Sequence, residues 1–272
     1  MQIKILVDNN TIIDQYYVGE PAVSYLISDN KTKILFDVGY SDIFIKNAEK
    51  MNETLKDLNY IVLSHGHNDH TGGLPSLLKY FDCKVTNPKI ITHPNTFLYK
   101  EEDGESIGIT IDEKEINKKF ATKLTKKPIW LSDNIIFLGE IERSNNFENK
   151  TPIGKYKLNN SLVDDYINDD SALVYKSSKG LVIITGCSHS GICNIIDYAI
   201  KVCQNDRIID IVGGFHMLEP NETELKETLE YFKKLNIKNV HPCHCTSLDF
   251  KIKLANLNPV KDVGVGLVLD FE

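Results

Sequence analysis

Between Ile61 and Leu74 the chain reads Ile-Val-Leu-Ser-His65-Gly-His67-Asn-Asp69-His70-Thr-Gly-Gly-Leu. The opening apolar run is the pattern of a short buried strand. It releases His65, His67, Asp69 and His70 within six residues, ahead of Thr71-Gly-Gly and the apolar residues of a helix. In extended chain alternate side chains share a face, so His65 and His67 converge on one ion. Asp69 and His70 lie where the chain turns and point at a second ion nearby. Imidazole and carboxylate together suit zinc, iron or manganese. The alternative is a polar loop with scattered histidines, and four ligand types packed directly behind a buried strand weigh against it. Any fold for this chain must therefore end a buried strand at a polar cleft.

The remaining patterns divide the chain into two β-rich segments, each followed by helices. Residues 2–7, 23–28 and 33–36 read as a meander of short strands. Ile43–Leu55 has helical spacing, Tyr60–Leu63 is the strand feeding the ligand loop, Leu74–Tyr80 is a helix and Lys89–Thr92 a strand. The second segment predicts strands at Ser171–Tyr175, Leu181–Thr185 and Ile208–Val212, with a further one leading to His241. Helices are expected at Ile192–Val202, at Glu222–Leu235 behind the N-cap Asn221, and at Leu248–Leu257. Val263–Leu269 reads as a closing strand. Such an arrangement implies two sheets packed face to face with helices outside.

Residues 94–170 are the least regular. They hold charged segments (Lys100–Glu105, Glu113–Lys127), polar runs (Ser144–Asn149, Asn159–Asp170) and short strands at Pro128–Leu131 and Ile135–Leu138. This reads as an insertion on the catalytic face that carries substrate specificity, within one domain spanning 1–272.

A length of 272 residues and 42% apolar content supply a core and exclude wholesale disorder. With 31 Lys+Arg against 38 Asp+Glu, the formal charge of −7 argues against general nucleic-acid binding. The first residues lack a signal-peptide layout and no apolar run could span a bilayer, so a cytoplasmic protein without a membrane partner is expected. The cysteines are Cys83, Cys187, Cys193, Cys203, Cys243 and Cys245; no Cys-x-x-Cys pair occurs, and most are expected to be buried free thiols.

Three later stretches carry further ligand types. Gly180-Leu-Val-Ile-Ile-Thr-Gly186-Cys187-Ser188-His189-Ser190-Gly191 is a strand that runs into glycine and releases Cys187 and His189 before a helix. Val212-Gly-Gly-Phe-His216-Met places a histidine at a strand end, where the glycines permit close backbone approach. Val240-His241-Pro242-Cys243-His244-Cys245-Thr246 offers two histidines and a Cys-x-Cys; a zinc knuckle there has no partner cysteine pair elsewhere.

The segment His65-Gly-His67-Asn-Asp69-His70 is similar to the H-x-H-x-D-H signature of the metallo-β-lactamase superfamily. The full set of motifs resembles the branch of dihydropterin–ribofuranosylaminobenzene 5′-phosphate synthase-like metallo-hydrolases. The resemblance runs the length of the chain, except for the middle stretch. It implies an α/β fold, a four-layer αββα sandwich of two mixed sheets flanked by helices. It implies that Asp37, after the strand Leu35-Phe36, braces the ligands; a plain turn former is the alternative. Most members carry a bridging aspartate where this chain has Cys187, which is here either a thiolate near the metals or a small buried filler. His189 becomes the third histidine of one site and His244 the last ligand of the other, with His241 left in its strand. His93, before Pro94, falls where family ligands do not. A histidine in the interval of His216 contacts phosphate and donates a proton in phosphodiester-cleaving members; a structural histidine is the alternative.

The expected site is thus two divalent ions, Zn2+ first and Mn2+ or Fe2+ next. His65, His67 and His189 hold one, and Asp69, His70 and His244 the other. A metal-bound hydroxide then attacks a small phosphorylated substrate, a phosphoester or phosphodiester, with Asp69 orienting it and His216 as acid. The branch also implies a transferase that joins a reduced pterin diphosphate to an aminobenzene ribose phosphate. A diiron redox protein and a non-catalytic metal-dependent binder complete the alternatives.

Overall fold

The computed structural model describes residues 1–81 and 87–272; Cys83 lies outside them. The first half runs β1 (Gln2–Val7), β2 (Ser24–Asp29), β3 (Thr32–Phe36), α1 (Ile43–Lys50), β4 (Tyr60–Val62), α2 (Asn68–Thr71), α3 (Leu74–Tyr80) and β5 (Lys89–Thr92). The middle adds β6 (Lys100–Glu102), β7 (Glu105–Ser106), α4 (Glu113–Asn117), β8 (Thr122–Leu124), β9 (Ile129–Trp130), β10 (Ile135–Phe137), β11 (Lys155–Leu158) and β12 (Ser161–Asp164). The second half follows with β13 (Ala172–Ser177), β14 (Gly180–Thr185), α5 (Ile192–Cys203), β15 (Ile208–Gly214), α6 (Glu222–Lys234), β16 (Asn239–Cys243), α7 (Leu248–Ala255) and β17 (Val268–Asp270).

These strands form a seven-stranded sheet ordered β17-β1-β2-β3-β4-β5-β8 and a six-stranded sheet ordered β16-β15-β14-β13-β10-β9. Alternation along the strands explains how they stack. In β14, Val182 and Ile184 join Ile3, Ile5, Tyr25 and Ile27 in the core between the sheets. Leu181 and Ile183 face the other way, against Ile192, Ile196 and Ala199 of α5 and Phe232 of α6. On the first sheet, Leu26, Leu35 and Ile61 pack outward on Phe44 of α1 and Leu74 and Leu77 of α3. The result is the expected helix–sheet–sheet–helix layering, in which period-2 burial on both faces leaves the strands almost wholly apolar.

Strands β3, β4 and β5 run parallel, as do β14, β15 and β16. Strand β1 shares the direction of β3, since both pair antiparallel with β2. The carboxyl ends of β1, β3 and β4, and of β14 to β16, deliver Asp8, Asp37, Ser64, Cys187, His216 and His244 to one edge of the sandwich. Open α/β sheets bind ligands at that edge.

The middle stretch is more built-in than its irregular sequence suggests. Strand β8 extends the first sheet and β9–β10 the second, while β12-β11-β6-β7 form a separate four-stranded sheet. Strands of two to four residues are too short to show a clear period, which is why the sequence pattern there is faint. The helix begun at Ile43 stops at Lys50, short of Leu55, and the closing strand is confined to Val268–Asp270. Among the described residues, no helix is long and apolar enough to cross a membrane.

Candidate metal centre

Strand β4 ends at Val62 and the chain bends at residues 64–66, not extended as the alternation had suggested, before His67 (φ −70°, ψ 152°) caps the single turn of α2. His65 and His67 meet the imidazole of His189, delivered from the end of β14. Ring centroids are 4.6 Å apart for His65–His67, 4.7 Å for His65–His189 and 4.8 Å for His67–His189. One ring nitrogen of each lies within 4.8 Å of the others. A second group lies beside it: Asp69, His70, His244 and the Sγ of Cys187. The rings of His65 and His70, one from each group, are 4.2 Å apart.

Hydrogen bonds settle which nitrogens point inward. Asp37 Oδ2 accepts from His70 Nδ1 at 2.7 Å, which leaves Nε2 as the nitrogen turned toward Cys187 Sγ at 3.2 Å. Ser64 Oγ donates to Asp37 Oδ2 at 2.7 Å and is left to accept from His65 Nδ1 at 3.0 Å. Asn9 Oδ1 accepts from His244 Nδ1 at 3.2 Å, and Asn9 Nδ2 donates to the His244 carbonyl, which fixes the amide's orientation. His244 Nε2 is thereby the nitrogen turned inward, 3.2 Å from Asp69 Oδ2.

The nitrogens His65 Nε2, His67 Nε2, His244 Nε2 and both of His189 are buried without a hydrogen-bond partner. Buried polar atoms are almost always paired, and convergent unpaired imidazoles are the donor set a divalent ion requires. The residues present fit such ions. Burial pushes His65 and His189 well below the usual imidazole value and His67 down to about 4, which keeps their lone pairs free at neutral pH. At His70 burial is outweighed by Asp69 and Asp37, which raise it.

Asp37 is wholly buried and holds the ligand loop through Ser64 N (2.7 Å), Ser64 Oγ and His70. It takes a left-handed conformation (φ 57°), as an Asp in a tight turn can. Gly186 allows this packing: a Cβ there would lie 2.3 Å from Ser64 Oγ. The Sγ of Cys187 belongs to the second group and also to a third with His189 and His216. Burial raises its thiol. The His216 ring is 4.2 Å from that of His189, and its Nδ1 is buried without a partner. Burial alone would lower His216, but Cys245, Asp170 and Glu224 outweigh it and raise it.

His241 instead pairs with Asp210 at 2.8 Å, and His93 accepts from Asn95 N and contacts Glu140; both stay outside these groups. All five described cysteines are free and buried. Sequence reasoning missed Asp8, whose Oδ1 accepts from His244 N at 3.0 Å, together with Asn9 and Ser64. Asp8 carried the same signal as Asp37, an acid directly after an apolar strand.

Two cavities, of about 540 and 450 Å3, meet at His189, His216, Ile153 and Leu218. The larger runs past Phe147 and Lys150 to Glu224; the smaller runs past Tyr40, Asn68 and Ile107.

A fold of this layering with histidine and aspartate donors at the strand ends defines a class. The family profile of the metallo-beta-lactamase superfamily matches residues 17–193, and the chain belongs to that superfamily. More particularly, it is 35% identical over 226 residues to the 7,8-dihydropterin-6-methyl-4-(beta-D-ribofuranosyl)-aminobenzene-5'-phosphate synthase of Methanocaldococcus jannaschii, covering 79% of this chain and 76% of that protein. An uncharacterized protein of the same organism is 33% identical, with 94% of each covered. Among solved structures, Tm1679, a metal-dependent hydrolase of the beta-lactamase superfamily, superposes with a TM-score of 0.85 at 29% identity, covering 100% of this chain and 99% of that one. The chain thus has the metal-dependent hydrolase fold of this superfamily.

Proposed function

We propose that the chain, acting as one catalytic domain, is a dinuclear metal-dependent hydrolase of phosphodiesters or phosphoesters. The observation that carries this reading is the pair of adjoining donor groups at the floor of the smaller cavity, which meets the larger one at His189. His65, His67 and His189 would hold one ion; Asp69, His70 and His244, with the Cys187 thiolate in the place of a bridging carboxylate, would hold the other. Zinc is the first choice and manganese or iron the next; such ions would polarise the phosphoryl group and activate water at neutral pH. Asp69 orients the attacking water by accepting its hydrogen bond. The two cavities take the substituents on either side of phosphorus, which favours a diester over a small monoester. His216, raised and facing the cleft, holds a proton for the leaving oxygen.

Hydrolysis of bis-p-nitrophenyl phosphate by the zinc- or manganese-loaded chain tests the reading, and no turnover with either ion would remove it. His216→Ala should retain both ions and slow turnover by roughly 10²–10⁴-fold, more for poor leaving groups. Metal loss would make His216 a ligand instead. A second reading, a transferase that unites two molecules, is favoured by the synthase relative and by the two-armed cleft. Product formation from a pterin diphosphate and an aromatic amine, without diester turnover, would select it.

A further inference from the structure

The loop before β13 contains the consecutive acids Asp169 and Asp170, both essentially without solvent exposure. The turn is tightly made: Asp165 Oδ1 accepts from Ile167 N at 2.7 Å, and the Ile167 carbonyl accepts from Asp170 N at 3.1 Å. From it the carboxylates diverge. Asp169 Oδ2 accepts from Gly66 N at 2.8 Å, and Gly66 lies between His65 and His67. Asp170 Oδ2 accepts from Ser190 N at 2.8 Å and Ser190 Oγ at 2.6 Å, and Ser190 follows His189. Two neighbouring residues thus grip the loops that bring three histidines together from different sheets.

Lys100 completes the arrangement. It is 1% exposed, and its Nζ donates to Asp165 Oδ2 at 2.6 Å and Asp169 Oδ1 at 2.9 Å. A buried ion cluster of this kind is a poor source of stability, because desolvating the charges offsets their attraction. Its geometry accounts for it better. Lys100 turns Asp169 so that the other oxygen meets Gly66, where a side chain would collide with the Thr96 carbonyl at 2.3 Å.

We propose that Asp169 and Asp170 form a two-pronged positioning pair, anchored by Lys100, that sets the mutual placement of His65, His67 and His189 and so the affinity of the ion they hold. This rests on the ligand grouping put forward above and not on the identity of the substrate. Carboxylates behind metal-binding imidazoles usually act on the ring itself; these act on the backbone on either side of the ligands, across the two sheets.

The test is a zinc titration of the full, chelator-stripped chain against a competing chelator, fitted to two sites, with thermal unfolding of the metal-free protein alongside. Asp169→Ala and Asp170→Ala should each weaken one ion by roughly 10–100-fold and leave the other within about twofold. Asp170→Asn, which keeps an acceptor for Ser190, should recover most of that loss. Ser190→Ala, which removes one of the two donors to Asp170, should weaken the same ion several-fold. Should the alanine variants not fold, Asp170→Asn and Ser190→Ala carry the decision. Parent affinity for both ions in folded Ser190→Ala and in whichever alanine variants fold overturns the proposal, as does equal weakening of both ions. A lower thermal midpoint without a selective affinity change also overturns it, since that is a purely structural role. A parent chain that binds no zinc overturns this proposal together with the ligand grouping, whereas two bound ions without diester turnover strike only the substrate reading.

Discussion

Asp37→Asn should cost metal affinity through the tautomer of one histidine. Asp37 receives three buried hydrogen bonds, from Ser64 N, Ser64 Oγ and His70 Nδ1, each 2.7 Å long. The amide has the same shape, and asparagine tolerates the left-handed backbone at φ 57°. Only one of its two terminal atoms accepts, however. With the carbonyl toward Ser64 N, the NH2 faces His70 Nδ1 and Ser64 Oγ. His70 must then carry its proton on Nε2, the nitrogen turned toward Asp69 and Cys187, and its lone pair is lost to the metal. Flipping the amide sets NH2 against Ser64 N–H, which is no better. A charge-assisted bond of this kind contributes about 1.5–3 kcal/mol, in line with the roughly 10–100-fold loss of metal affinity seen when such carboxylates are replaced. Asp37→Ala is less informative, since orphaning all three donors at about 1–3 kcal/mol each rivals the stability of a whole domain. The assay is chelator-competition titration of folded Asp37→Asn, with circular dichroism as the folding control. Two ions bound at parent affinity would refute the tautomer argument.

Other outcomes follow from the same geometry. His67→Ala should lose metal and turnover together while the fold persists; full metal content with normal turnover would end the assignment of this site. Cys187→Ala should weaken the second ion and Cys187→Asp should restore it, because a carboxylate can occupy the bridging position; equal metal content in both would take the thiol out of the ligand set. Stability of the metal-free chain should fall as pH drops from about 6.5 to 4. Burial holds His67 at about 4 in the folded state against 6.5 when unfolded, so in that window the unfolded chain binds more protons and stability rises with pH. His67 alone accounts for about 3 kcal/mol, and His65 and His189 act in the same direction. Burial raises Asp170 to about 6, which opposes His67 in this window. Urea midpoints at pH 4.5 and 7 with a chelator are therefore compared for the parent and Asp170→Asn; a flat profile in both would mean that these imidazoles are hydrated in the apo protein.

What was legible in the sequence was local. The strand-to-ligand transition at Ile61–His70 needs only a short apolar run and the chemistry of imidazole, and the apolar runs of β13 to β15 announce buried strands because both of their faces are covered. Hence the two-sheet sandwich and the dense ligand loop could be read from the chain. Which donors meet is a matter of long-range placement. His65 and His189 are 124 positions apart, and nothing between them encodes their 4.7 Å ring separation. The sequence left open whether Cys187 lies near the other donors, and the ends of β4 and β14 set its Sγ beside His70 Nε2. Lys100, Asp165, Asp169 and Asp170 sat in stretches whose polar composition reads as solvated loop, because pattern reports average exposure and not partners. Only the folded chain turns those charges inward and pairs them, and only there do two adjacent carboxylates come to hold the loops that carry the histidines.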